Sequence, residues 1–110
     1  MINHDTPVAE IGIKIPKWVD SDITLGQIEG INYGGCESGS YMPAVTYYQA
    51  MMTMGEHGDD VIRYIERAHG TIPSMNGCSW HGMAVKLLST AVEAWAASIA
   101  REVDNALGDE

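Results

Sequence analysis

The stretch from Trp80 to Leu107 constrains the fold more than any other part of the chain. Ala84, Leu88, Ala91, Val92, Trp95, Ile99 and Val103 recur along it at the three- and four-residue spacing of one helix face. The expectation is a single long helix, about 40 Å at a rise of about 1.5 Å per residue, with Ser79 as its N-cap. Its alanines invite close approach by a neighbouring helix. Lys86, Glu93, Arg101, Glu102 and Asp104 interrupt what would otherwise read as a lipid-facing run. Such a helix belongs in a core, and it needs partners.

The rest of the chain offers them. A helix from about Tyr41, with Pro43 tolerated in its first turn, carries two adjacent apolar stripes: Val45, Tyr48, Met52 and Gly55, then Ala44, Tyr47, Met51 and Met54. His57-Gly58 reads as its end. Asp59 then caps a further helix in which Val61, Ile62, Ile65 and Ala68 face inward, Asp59 pairs with Arg63, and His69-Gly70 closes the last turn. Upstream, Thr24 and Gln27 form a capping box with Ile23 and Ile28 as its apolar staple, so a short helix should begin at Leu25. Residues 1–7 read as a loose start. Ile11, Ile13 and Ile15 alternate with Glu10, Gly12 and Lys14 in the period-two pattern of a half-buried strand, which Pro16 ends. No second run of that period exists to pair with it. It is therefore an extended arm or single strand that lies on something irregular or pairs with a second subunit.

The expected fold is all-α, with three main helices, one short capped helix and an N-terminal extended arm. Residues 1–110 form a single domain, the arm covering 1–17 and the helical body 18–107. Its core should draw on Ile28, Ile31, Val45, Tyr48, Met52, Val61, Ile65, Leu88, Val92, Trp95 and Ile99.

Composition narrows the functional classes. The 110 residues are 45% apolar and 19% charged, which excludes a disordered acidic tail and a membrane span. At this size about two-thirds of the unfolded chain's surface can be buried, enough for a core without staples. Fifteen carboxylates against six Lys and Arg give a net charge of −9. Six scattered cations cannot build the basic stripe that phosphate backbones require, so direct nucleic-acid binding is not expected, and an electrostatically attracted partner should be basic. Met1 to Thr6 shows neither a secretory nor a transit pattern, which makes the cytoplasm the expected address.

Few residues point to bond-making chemistry. Cys78-Ser79-Trp80-His81 places a thiol and an imidazole three apart at a helix start, where the positive dipole end would lower a thiol pKa. With Cys36 and a further histidine, Cys78 and His81 could complete a tetrahedral zinc site, although Cys36 lacks the close second ligand usual in zinc fingers. The loop Gly34-Gly35-Cys36-Glu37-Ser38-Gly39-Ser40 lacks the lysine of a phosphate-binding loop and carries Glu37 where an anion would be repelled. His57-Gly58, His69-Gly70 and His81-Gly82 recur at a spacing of twelve, with unrelated flanks; the first two read as C-caps. These features predict no enzyme and no cofactor. Trp18 and Trp80 stand at element edges, where an aromatic ring packs a segment or anchors a partner. Together with Glu37 and Tyr41 they are the candidate partner contacts.

Several segments taken together resemble a group of small proteins encoded by tailed bacteriophages. They are residues 34–48 (Gly34-Gly35-Cys36 through Thr46-Tyr47-Tyr48), Glu56-His57-Gly58-Asp59-Asp60-Val61, Tyr64-Ile65-Glu66, Ser79-Trp80-His81-Gly82-Met83-Ala84-Val85 and Ser89-Thr90-Ala91-Val92-Glu93-Ala94-Trp95. The resemblance spans about residues 18–100 and carries no assigned activity or site residues. It implies an accessory protein acting in the infected bacterium, binding and inhibiting or modulating a host protein such as a defence or nucleic-acid-handling complex. The competing expectations are a metal- or thiol-dependent protein centred on Cys36, Cys78 and His81, and a structural homo-oligomer, such as a homodimer, built through the isoleucine arm.

Overall fold

The computed structural model describes residues 1–33, 47–74, 77 and 79–108. Among them are four α-helices: α1 (Leu25–Tyr33), α2 (Tyr47–His69), α3 (Trp80–Ser98) and α4 (Ala100–Gly108). A one-turn 3-10 helix, Val8–Ile11, precedes them. The all-α expectation holds, and no strand occurs among the described residues. The expected helix start at Tyr41, the glycine loop and Val45 lie outside the described residues.

The first turn of α1 shows how local sequence fixes the architecture. A helix start leaves four N–H groups without intrahelical partners, and here each finds one. Leu25 N–H donates to the Thr6 carbonyl at 2.9 Å and Gly26 N–H to the His4 carbonyl at 2.9 Å. Gln27 N–H donates to Thr24 Oγ1 at 3.2 Å, while Ile28 N–H makes the first intrahelical bond, to the Thr24 carbonyl at 3.2 Å, leaving the Thr24 N–H as the fourth donor to be satisfied. Gln27 Oε1 accepts from the Thr24 N–H at 2.9 Å, which completes the capping box read from the sequence. Ile23 and Ile28, the expected staple, are both fully buried. Residues 1–7 are accordingly not a loose start. Thr6 Oγ1 accepts from Asn3 N–H at 2.9 Å, Val8 N–H donates to the Ile23 carbonyl at 2.8 Å, and one antiparallel bridge joins Pro7 to Thr24.

The arm behind it follows the isoleucine alternation without forming a strand. Ile11, Ile13 and Ile15 are half-buried against the core while Gly12 and Lys14 are exposed. Gly12, at φ 86°, turns the chain out of the 3-10 helix through a left-handed conformation.

Within α2, His57 leaves helical geometry at φ −128° and ψ 17°, so two helical stretches meet across a kink at the His57-Gly58 boundary read from the sequence. Arg63 pairs with Asp60 at 2.9 Å, not with the Asp59 carboxylate. Val61 and Ile65 are fully buried, whereas Ala68 is exposed. At the C-terminus Gly70, at φ 78°, donates its N–H to the Glu66 carbonyl at 2.8 Å, as the His69-Gly70 ending predicts.

The long helix is divided. Ser79 caps it as expected, its Oγ accepting from Gly82 N–H at 3.0 Å, but α3 ends at Ser98 and α4 leaves at 55°. Ser98 Oγ donates to the Trp95 carbonyl at 2.6 Å, a back-bond that competes with the helical ladder. Asn32 Nδ2 of α1 donates to the Ala96 carbonyl at 2.9 Å, which also accepts from the Ile99 N–H at 3.3 Å, so α1 is tied to the backbone at the break. No single helix among the described residues is long and apolar enough to cross a membrane.

The core contains Val8, Trp18, Val19, Ile23, Leu25, Ile28, Val61, Ile65, Leu88, Val92, Trp95, Ile99 and Val103, with Ala50, Ala84, Ala91 and Ala96 where helices approach closely. Ile31 is half-buried against it. Tyr48 and Met52, expected inside, face outward.

Candidate functional site

The outward position of Tyr48 and Met52 follows from helix geometry. The segment from Tyr47 to Met54 is apolar nearly all round, so periodicity alone leaves open which stripe turns inward. Ala50 decides it. It is fully buried on α2, which packs along the alanine-bearing α3, and a small side chain allows that approach. Residues two positions before and after Ala50 lie about 160° round the helix from it, since each residue advances about 100°. Tyr48 and Met52 are therefore neighbours on the far side, 71% and 50% exposed.

Beside Met52 runs a surface groove of about 480 Å³. Its floor includes the buried residues Trp18, Val19 and Leu88, and Met52, Thr53 and Glu56 line it from α2. Lys17 and Asp20 line it from the chain that leads into α1. The Asp20 carboxylate is oriented rather than free to swing, because Oδ1 accepts from the Asp22 N–H at 2.9 Å and the Asp20 carbonyl accepts from Ile23 N–H at 3.1 Å. Glu56 is 71% exposed with its Oε1 4.0 Å from His57 Nε2. The groove thus joins the buried apolar residues Trp18, Val19 and Leu88 and the exposed Met52 to polar groups that include Lys17, Asp20 and Glu56, with Tyr48 exposed one turn before Met52 on α2.

The residues singled out from sequence fall differently. Trp18 is 6% exposed and stacks edge-on against Tyr64, with ring centroids 5.1 Å apart. Of the two roles read from the sequence, packing a segment or anchoring a partner, its burial fits the first, and it lines the groove from within the core. Trp80 is 63% exposed at the first position of α3. Glu37, Tyr41, Cys36 and Cys78 lie outside the described residues, and of His81 only the backbone, in the first turn of α3, is described. No group of three or more His, Cys, Asp or Glu that could hold a metal occurs among the described residues. Of the other histidines, His4 Nε2 lies 2.8 Å from Glu29 Oε1 and joins the N-terminal segment to α1.

Tyr33 and Asp20 were not anticipated as contributors. Tyr33, 60% exposed, donates its hydroxyl to Asp104 Oδ2 at 2.8 Å and links the end of α1 to α4. That bond, with smaller contributions from burial and from the Asp104 and Glu29 charges, raises the phenol pKa above its usual value. Asp20 carried a readable signal, an acidic residue two before another acidic residue in a turn, but nothing in the sequence placed it opposite α2.

No family model matches the chain, and neither the curated proteins nor the solved structures hold a match to it.

Proposed function

We propose that this protein is a non-enzymatic binding module that engages a protein with a basic surface through Tyr48, Met52 and the adjoining groove. In keeping with the resemblance to small tailed-phage proteins, the partner is a bacterial protein whose activity the binding inhibits or modulates. The observation that carries the reading is the pairing, on one face, of two large exposed apolar side chains with carboxylates from two elements, Asp20 and Glu56.

The physical roles divide. Burying a side chain the size of Met contributes about 1.5–3 kcal/mol, and an aromatic ring such as Tyr48 is a frequent anchor, so Tyr48 and Met52 supply affinity. The carboxylates and the net charge of −9 supply steering and choice of partner, favouring a lysine- or arginine-rich surface.

Capture from a bacterial lysate with the wild-type protein and with a Tyr48→Ser/Met52→Ser variant tests this. The proposal predicts a basic-surfaced protein that only the wild type retains and that binds again when purified. Identical retention by both, or a purified candidate that fails to bind, contradicts it.

A further inference from the structure

Trp18 also lines a second, smaller hollow of about 300 Å³, shared with Pro16, Asp60, Arg63, Tyr64 and Arg67. Arg63 and Arg67 stand one turn apart on α2, a spacing at which like charges disfavour a helix. No residue within the helix relieves this for Arg67, because its neighbours at three and four positions are Arg63, Tyr64, Gly70 and Thr71. Among the described residues no carboxylate lies within ion-pair distance of Arg67. In a chain of net charge −9, that leaves a strong set of charge-assisted donors unused.

Arg63, by contrast, is already oriented. Its Nη2 donates to Asp60 Oδ1 at 2.9 Å and its Nε to the Asp59 carbonyl at 3.4 Å, and its other N–H donors remain. The charges lining the hollow, two arginines and one aspartate, sum to a single positive charge. Their complement is one negative charge on a planar group that fits a guanidinium fork, which describes a carboxylate better than a dianionic phosphate. Pro16 and the edge-to-face pair of Trp18 and Tyr64 add apolar wall beside these donors.

We infer that this hollow binds a small monocarboxylate with a flat apolar body, an aryl carboxylate in chemical class, whose oxygens are gripped by Arg67 and Arg63. The inference is independent of the protein-binding reading, since its charged contacts, Arg63 and Arg67, carry the opposite charge and do not line the groove, and only Trp18 lines both.

Titration of the full chain with benzoate at constant ionic strength, followed by nitrogen-proton NMR of the arginine side chains and the tryptophan indoles, tests it. Saturable shifts are expected at Arg63, Arg67 and Trp18. Arg67→Gln should weaken binding by about tenfold or more, the loss of a charge-assisted pair. Arg101→Gln, at an exposed arginine on α4, should leave it unchanged. Shifts that stay linear with concentration, equal effects of the two substitutions, or tighter binding of inorganic phosphate than of benzoate would overturn the assignment.

Discussion

Gly26 faces His4 so closely that a Cβ on Gly26 would lie 3.0 Å from both the Cβ and the carbonyl oxygen of His4. The contact arises because the same His4 carbonyl accepts the Gly26 N–H, so the N-terminal segment cannot withdraw without giving up part of the α1 cap. Gly26→Ala should therefore destabilise the protein by about 1–3 kcal/mol, the usual cost of overpacking against backbone. Gly55→Ala is the matched control: its Cβ meets nothing within 4 Å in the middle of α2. Replacing a helical glycine there should stabilise by about 0.5–1 kcal/mol. Urea unfolding of the two variants gives the comparison, and a loss of stability in both would remove the His4 contact as the cause.

The capping box makes a second prediction. Thr24 and Gln27 each supply a side-chain acceptor to the other's N–H, so Thr24→Ala should cost about 1 kcal/mol. Because the two bonds share one geometry, the Thr24→Ala/Gln27→Ala pair should cost less than the two single changes added together. A double-mutant cycle in urea measures this, and strict additivity would show that the bonds act separately.

The bond from Tyr33 to Asp104 should be visible in the pH dependence of stability. The folded phenol titrates above its usual 10.0, so its contribution is fully present below that value and disappears as pH rises through the higher folded pKa. Tyr33→Phe should therefore lower stability at neutral pH, with the gap to wild type closing above the usual phenol pKa. Thermal melts from neutral to strongly alkaline pH show this; a gap that widens with pH contradicts the sign.

Ile65 and Met52 lie on the same helix and should respond oppositely. Ile65 is fully buried, and Ile65→Ala should cost about 2–5 kcal/mol. Met52 is 50% exposed, and Met52→Ser should stay within about 0.5 kcal/mol of wild type, as surface changes usually do. If chemical denaturation shows Met52→Ser to be as damaging as Ile65→Ala, Met52 belongs to the core and the proposed face does not exist.

What could be read from the sequence was what short spacings determine. The Thr24 and Gln27 box, the Ser79 cap, the Gly70 turn and the inward face from Ala84 to Ile99 each depend on residues within a turn or two of one another, and each stands in the structure. The rest depends on contacts between distant segments. The stripe of α2 that turns inward is chosen by Ala50 against α3, which the apolar pattern of α2 alone does not contain. At the division near Ile99, Asn32 of α1 bonds the Ala96 carbonyl from 64 residues away, a contact that no local pattern contains, although Ser98 was a local sign of weakness in the helix. The groove is less legible still, since Asp20 and Glu56 meet only after the chain before α1 has been laid beside α2.

The most direct measurement is the affinity of a purified captured partner for the wild type and for Tyr48→Ser/Met52→Ser, each at low and at high salt. The account predicts that the variant, folded as well as the wild type, binds at least about tenfold more weakly, the loss expected of central anchors. It also predicts that association of the wild type slows as salt rises, because carboxylates steer the encounter. Equal affinities for the two proteins, together with association that salt leaves unchanged, would contradict it.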